Sequence, residues 1–291
     1  MCPAATAAVE LTNTRLLFSI TDHFSAPSDV AVSNDDRIYV LDGVNHRIKV
    51  FDGNGAYLST IGREGSGQGE FRYPLGIDVD RNGNIYVADS GNHRVQVFNP
   101  AGSFTAQFTI ESQGPHPADP TDVAVDDSRR RCYVVDNDHH QIYVYDLSTL
   151  KRVATFGQPG SAKLEFRYPF LMTLDKAGYL YIVDVINTRV QVLNPDGLYV
   201  ATIGGWGVDK GQFFRPKGVA VDQAGKVYVS DSYLGVIQVF NANGDFLSVV
   251  GDRSTGALRK FKTPVGLTVD HRNRLYVVEM YADKVSVYGI E

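Results

Sequence analysis

Cysteine is nearly absent. The 291 residues hold only Cys2 and Cys132, which form no CxxC pair and match no zinc spacing, so neither a disulfide framework nor a thiolate metal centre is available. Cys132 is expected to be a core thiol. A basic excess is also missing, with 28 Lys and Arg against 33 Asp and Glu for a net charge of −5. That balance argues against binding that rests on neutralising many phosphates. No apolar run approaches the roughly 18 residues of a membrane helix, so no transmembrane segment is expected. No stretch has a helical period either. With 43% hydrophobic and 11% aromatic residues, the chain has the means to build a large core and is not a disordered one.

What the chain does have is a repeat. An apolar-Tyr-(Val/Ile) run ends near an acid six times, the acids being Asp42, Asp89, Asp136, Asp184, Asp231 and Glu279, spaced 47, 47, 48, 47 and 48 residues apart. Six prolines keep the same beat: Pro27, Pro74, Pro120, Pro169, Pro216 and Pro264. Within each period, residues alternate apolar and polar and are rich in Val, Ile, Tyr and Phe, with turn residues between the runs. That pattern predicts short antiparallel strands. In the second unit we expect strand a over 76–80, b over 85–88, c over 94–98 and d over 104–110, with turns or loops between them. Four strands in a unit of about 47 residues make a propeller blade.

The expected fold is therefore all-β, a six-bladed β-propeller of four-stranded antiparallel blades. The sixth unit stops after its third strand, Val285 to Tyr288, whereas Arg15 to Ile20 looks like the strand d that ends other units. The N-terminal strand should complete the last blade and close the ring, leaving no unpaired edge between its ends. Residues 1–10 are expected to be a flexible tail and 11–291 a single propeller domain.

The motif Asp89-Ser90-Gly91-Asn92-His93-Arg94-Val95-Gln96-Val97-Phe98, preceded by Phe71-Arg72-Tyr73-Pro74-Leu75-Gly76, resembles the NHL repeat, and the resemblance runs from about residue 11 onward. It implies the propeller fold. It does not single out an activity, since similar propellers include RNA- and protein-binding modules, sensor domains, zinc-dependent lyases and lactonases.

Much of what catches the eye recurs once per blade and belongs to the scaffold. His46, His93 and His140 share one slot on separate blades, so they should ring the rim rather than converge on an ion. Arg47, Arg94 and Arg189, each five residues after its acid, should form ion pairs across the hairpin mouths. Phe24, Phe71, Phe166, Phe213 and Phe261, three before their prolines, should pack blade against blade. Blades three, five and six depart from the pattern, with Gln141, Val236 and Lys284 in the arginine slot and Glu279 in place of the Asp. Blade five, Asp231-Ser232-Tyr233-Leu234-Gly235-Val236, also loses the Asn and His, which marks its b–c loop as specialised.

Two groups remain as candidates on the face that carries the d–a and b–c loops. Asp29, Asp78 and Asp122 fall on the innermost strands of three successive blades. Carboxylates near one axis suit Ca²⁺ or another divalent cation in the channel, and otherwise no cofactor is expected. No histidine falls on an innermost strand, so the three-histidine zinc centre that the lyase resemblance implies has no counterpart. The second group is aromatic and basic. Arg72 with Tyr73, Arg167, Trp206, Phe214 with Arg215, and Tyr233 are interface types, which bury large area at small entropic cost and donate several hydrogen bonds.

The expected function is thus a non-catalytic binding platform or scaffold whose loop face takes a protein or a small ligand. The alternative is a metal-assisted lyase or hydrolase in the channel. Single-stranded RNA is a second alternative, disfavoured because Glu64, Glu70, Glu165, Asp209 and Asp252 cancel much of the field from bases such as Arg253. A monomer is expected. The N-terminus shows no export signal, so cytoplasm is the default, although Cys2 followed by small residues resembles the start of a processed bacterial lipoprotein, which would make the chain exported or lipid-anchored.

Overall fold

The computed structural model describes residues 10–111, 116–252 and 254–291. Cys2, most of the expected tail and Arg253 lie outside these residues. The strands assemble into six four-stranded antiparallel blades around a central channel. Blade 1 consists of Asp29–Val32, Ile38–Asp42, Arg47–Phe51 and Tyr57–Ile61, labelled a to d from the inside out. The innermost strands of blades 2 to 6 are Gly76–Val79, Pro120–Asp126, Pro169–Leu174, Pro216–Val221 and Pro264–Val269.

Blade 2 follows the expected boundaries to within a residue, its outer three strands being Ile85–Asp89, Arg94–Phe98 and Phe104–Thr109. Its b–c loop is a single 3-10 turn, Ser90–Asn92, ended by His93 in the left-handed region at φ 56°. His46 and His140 adopt the same conformation at φ 54° and 58°, so the recurring histidine occupies the residue that reverses the chain into strand c.

Closure takes place where expected. The N-terminal strand Leu11–Ile20 runs antiparallel to Lys284–Ile290 from Thr14↔Ile290 to Ile20↔Val285, supplying the outer strand of blade 6. Its first residues do something the repeat gave no sign of: Leu11 to Asn13 pair in parallel with Val249 to Gly251 of the outer strand of blade 5. One strand thereby stitches two blades together.

The core is distributed between blades rather than gathered at a centre. In one such layer, Leu41, Ile48 and Ile61 of blade 1 pack against Phe71, Ile77, Ile85 and Val87 at blade 2. The recurrent Phe71, Phe166 and Phe213 are fully buried, which fits their assignment to blade packing. Cys132 is a buried free thiol in the layer between blades 2 and 3. No helix among the described residues is long and apolar enough to cross a membrane.

Candidate functional site

The loop face is built on the six blade acids. Each is buried, and each accepts the backbone N–H of the residue 17 positions earlier, in the d–a loop entering its own blade: Ser25 to Asp42, Arg72 to Asp89, Asp119 to Asp136, Arg167 to Asp184, Phe214 to Asp231 and Lys262 to Glu279, at 2.7–3.0 Å. The acid also draws in the arginine five residues on. Arg47, Arg94 and Arg189 place Nε 2.9, 2.8 and 2.9 Å from Asp42, Asp89 and Asp184. Charge-assisted bonds to a buried carboxylate are strong ones, and they fix every d–a loop on the face.

The histidines are spent locally. Tyr73 donates its backbone N–H to Nδ1 of His46 at 3.0 Å, Tyr168 does the same to His140 at 3.2 Å, and Nδ1 of His93 lies 2.7 Å from the Ala118 carbonyl. Among the described residues, no group of three or more His, Cys, Asp or Glu is placed to hold a metal ion.

Asp29, Asp78 and Asp122 do line one cavity of about 330 Å³ along the axis. Their oxygens are taken by backbone. Asp29 accepts from Ile77 N at 3.1 Å, Asp78 from Val125 N at 2.8 Å and Asp122 from Met172 N at 2.6 Å, so each carboxylate clips its blade to the next. Asp78 and Asp122 use their second oxygen on the following residue's N–H, Val79 and Val123. Glycines make room for the clips. A Cβ at Gly76 would lie 2.2 Å from Oδ1 of Asp122, and one at Gly266 would lie 2.5 Å from Oδ1 of Asp29. Burial, only partly offset by these backbone bonds, pushes Asp29 and Asp78 up to about 7 and Asp122 well above the usual carboxylate range.

The cavity does not reach the loop face. Its walls run along the a strands to the a–b turns, where Asn34, Arg81, Asp127 and Lys176 contribute, and they include none of the residues next to the six prolines. The carboxylates and the aromatic and basic group were expected to share a face. Instead the carboxylates line the cavity along the a strands, and none of the aromatic and basic group lines it.

On the loop face, blades 4 and 5 bring several candidates together. The rings of Phe214 and Tyr233 stack with centroids 4.3 Å apart. Between them in the chain, Arg215 is held by its N–H to Asp231 and its carbonyl to the Ser232 hydroxyl. Tyr233 is 63% exposed. Lys217 extends over the ring of Phe170 of blade 4 at 4.3 Å. Neither was singled out in the sequence, yet a signal exists: the residue after each proline reads Ser28, Leu75, Thr121, Phe170, Lys217 and Val265, and Lys217 is the one charge among them. Arg72 and Arg167 are exposed on their own d–a loops, and Tyr73 and Tyr168 pack edge-on against His46 and His140. Trp206 is 75% exposed, two residues beyond the outermost strand of blade 4, Tyr199–Gly204, on the d–a loop that carries Phe214 and bridged to Phe213.

Comparison with known proteins agrees with this architecture. A family model described as a 6-bladed beta-propeller (DUF5128) matches residues 21–95 and 81–161. The chain is a six-bladed propeller. No curated protein matches it. Among solved structures, a gluconolactonase from Xanthomonas campestris is similar with a TM-score of 0.72 at 15% identity, over 99% of this chain and 94% of that one. Virginiamycin B lyase from Staphylococcus aureus gives 0.68 at 12% identity over 96% and 100%. A protein of unknown function from Bacteroides thetaiotaomicron gives 0.68 at 18% identity over 97% and 73%. At these identities the likeness is one of fold.

Proposed function

We propose that this NHL-like propeller is a non-catalytic binding platform whose loop face, over blades 4 and 5, receives a small ligand or a short segment of a protein. The observation that carries this is the stacked pair Phe214 and Tyr233 at the surface beside Arg215 and Lys217. The rings are held by backbone bonds to a buried acid, so their contact area is offered with little entropy left to lose. Arg72, Tyr73 and Arg167 extend the same face toward blades 2 and 4, and Trp206, on the loop that carries Phe214, adds an exposed contact suited to a protein partner. Capture of ligands from a fragment collection by the full chain, repeated with Tyr233→Ala and Phe214→Ala, tests this. Ligands that bind the parent should be lost in both variants with the unfolding midpoint unchanged; ligands that bind all three proteins equally would refute the site.

A second reading is a lyase or hydrolase working in the channel, favoured by the named activities of two fold neighbours, virginiamycin B lyase and gluconolactonase. Asp29, Asp78 and Asp122 are then the acids at issue. Lactone hydrolysis and streptogramin opening, assayed with and without added divalent cations and repeated with Asp78→Asn, decide it. Turnover in the parent that disappears in the variant would replace the platform with an enzyme.

A further inference from the structure

Resting on the loop-face reading, we infer that its blade 4 and 5 rim is an anion subsite, with Lys217 as the charge that recognises a carboxylate or phosphate carried on an aromatic or apolar body. Lys217 is part-buried, and among the described residues no oxygen accepts a hydrogen bond from its ammonium and no carboxylate pairs with it. Its contacts are the Phe170 ring at 4.3 Å and the repulsive neighbourhood of Arg215. The ammonium is still open to the rim, since the Tyr133 hydroxyl alone is a sealed, unpartnered side-chain atom among the described residues.

A part-buried ammonium ordinarily finds a protein acceptor, and one that does not leaves its three donors to solvent or to an incoming oxyanion. Other lysines of this chain follow that rule: Lys49 reaches Asp22 at 2.7 Å, and Lys284 reaches Glu279 at 3.1 Å. Lys217 departs from it on blade 5, whose b–c loop lacks the Asn, His and Arg of the motif. Arg215 beside it, like Arg167 of blade 4, has no ion-pair partner among the described residues. Of the acids in the d–a loops entering blades 4 and 5, Glu165 accepts from Ala162 N and Gln158 Nε2 and Asp209 is exposed, while Asp138 sits on blade 3 near Asp119. The three donors of the ammonium and the guanidinium fork suit an oxyanion, and the Phe214 and Tyr233 rings suit the body that carries it.

The test uses the full chain and ligand-observed saturation-transfer NMR with phenyl phosphate and phenylacetate, which separate the two head groups, and benzyl alcohol as the neutral control. Either anion should bind and benzyl alcohol should not displace it. Lys217→Met, which keeps the length and loses the charge, should weaken binding by roughly tenfold or more, as expected for one charge-assisted bond, and Lys217→Arg should restore most of it. Anion binding undiminished in Lys217→Met, or no binding of either anion to the parent at millimolar concentration, overturns the subsite. If neutral ring compounds bind and are lost in Tyr233→Ala while Lys217→Met changes nothing, the anion subsite fails and the platform stands. If ligands bind and none of the three variants alters them, both fail.

Discussion

Removing one blade acid should cost the ring far more than its surface ion pairs do, and Asp89 is the acid on which to measure it. Its carboxylate is fully buried and receives four donors: Arg72 N at 2.8 Å on one oxygen, and Asn92 Nδ2, Arg94 Nε and Gln96 Nε2 at 2.9, 2.8 and 3.1 Å on the other. Asp89→Ala leaves a nearly buried guanidinium without its counter-charge and orphans a loop N–H. Breaking a buried pair by deleting one partner typically costs about 3–5 kcal/mol. Arg94 retains the carbonyls of Ser66, Gly67 and Glu70, so the lower half of that range is expected, about 3 kcal/mol. Against a total stability of about 5–15 kcal/mol, this is a large shift of the urea midpoint followed by circular dichroism. Arg63→Ala, which opens the exposed Arg63–Glu70 pair at 2.9 Å, is the control and should leave the midpoint nearly parental. Equal losses in the two variants, or an Asp89→Ala loss below about 1 kcal/mol, would refute the idea that these acids hold the loops.

Stability should also fall as pH rises from about 4 to about 7. The folded-state values of Asp29 and Asp78 are raised to about 7 from an ordinary 3.8, so the folded ring holds protons that the unfolded chain has released, and each group contributes a slope of up to about 1.4 kcal/mol per pH unit. Asp78→Asn should flatten that slope, measured by urea unfolding across the range; an unchanged slope would mean that Asp78 is ionised at no cost. Deleting residues 1–20 should destabilise the whole propeller, because the lost strand pairs with both blade 6 and blade 5; unchanged cooperative unfolding would deny it a closing role. Gly76→Ala should destabilise by more than the few tenths typical of surface changes, since the added carbon would meet Asp122. Trp206→Ala should weaken binding of a protein partner and leave the melting temperature unmoved, whereas a lowered melting temperature would make it a packing residue.

The ring was legible in the sequence because every blade repeats the same physical problem. An acid must satisfy a loop N–H, a tyrosine must fill the layer between blades, and a proline must start the inner strand, so a period near 47 residues appears in several residue types at once. The parallel pairing of Leu11 to Asn13 was not legible, since it is made once, by residues with no counterpart in another unit. The channel carboxylates were placed on the innermost strands as expected. Their use as clips was hidden, because their partners are backbone N–H groups of the next blade, and sequence pattern is silent about which backbone a side chain will meet. Lys217 and Phe170 were missed for a different reason. Each is unremarkable alone, and their contact exists only because consecutive inner strands stand side by side at the rim.

Blade 5 shows how the departures from the repeat bear on function. It lacks the arginine that partners the blade acid in blades 1, 2 and 4, yet Asp231 is not left wanting. It accepts the N–H groups of Phe214 and Arg215 on one oxygen and those of Tyr233 and Leu234 on the other, at 2.7–3.1 Å. Four backbone donors replace an ion pair, so the scaffold role of the acid is kept while the Arg, Asn and His positions are released from it. What stands in the released loop is Tyr233, exposed and stacked on Phe214. A loop that had merely drifted would leave the buried carboxylate short of partners, which is expensive. Here the compensation is complete, and it delivers an aromatic ring to the surface beside Arg215, which has no ion-pair partner among the described residues. The structural cost of specialising this blade is met by backbone bonds, so the scaffold makes no demand on the Tyr233 side chain.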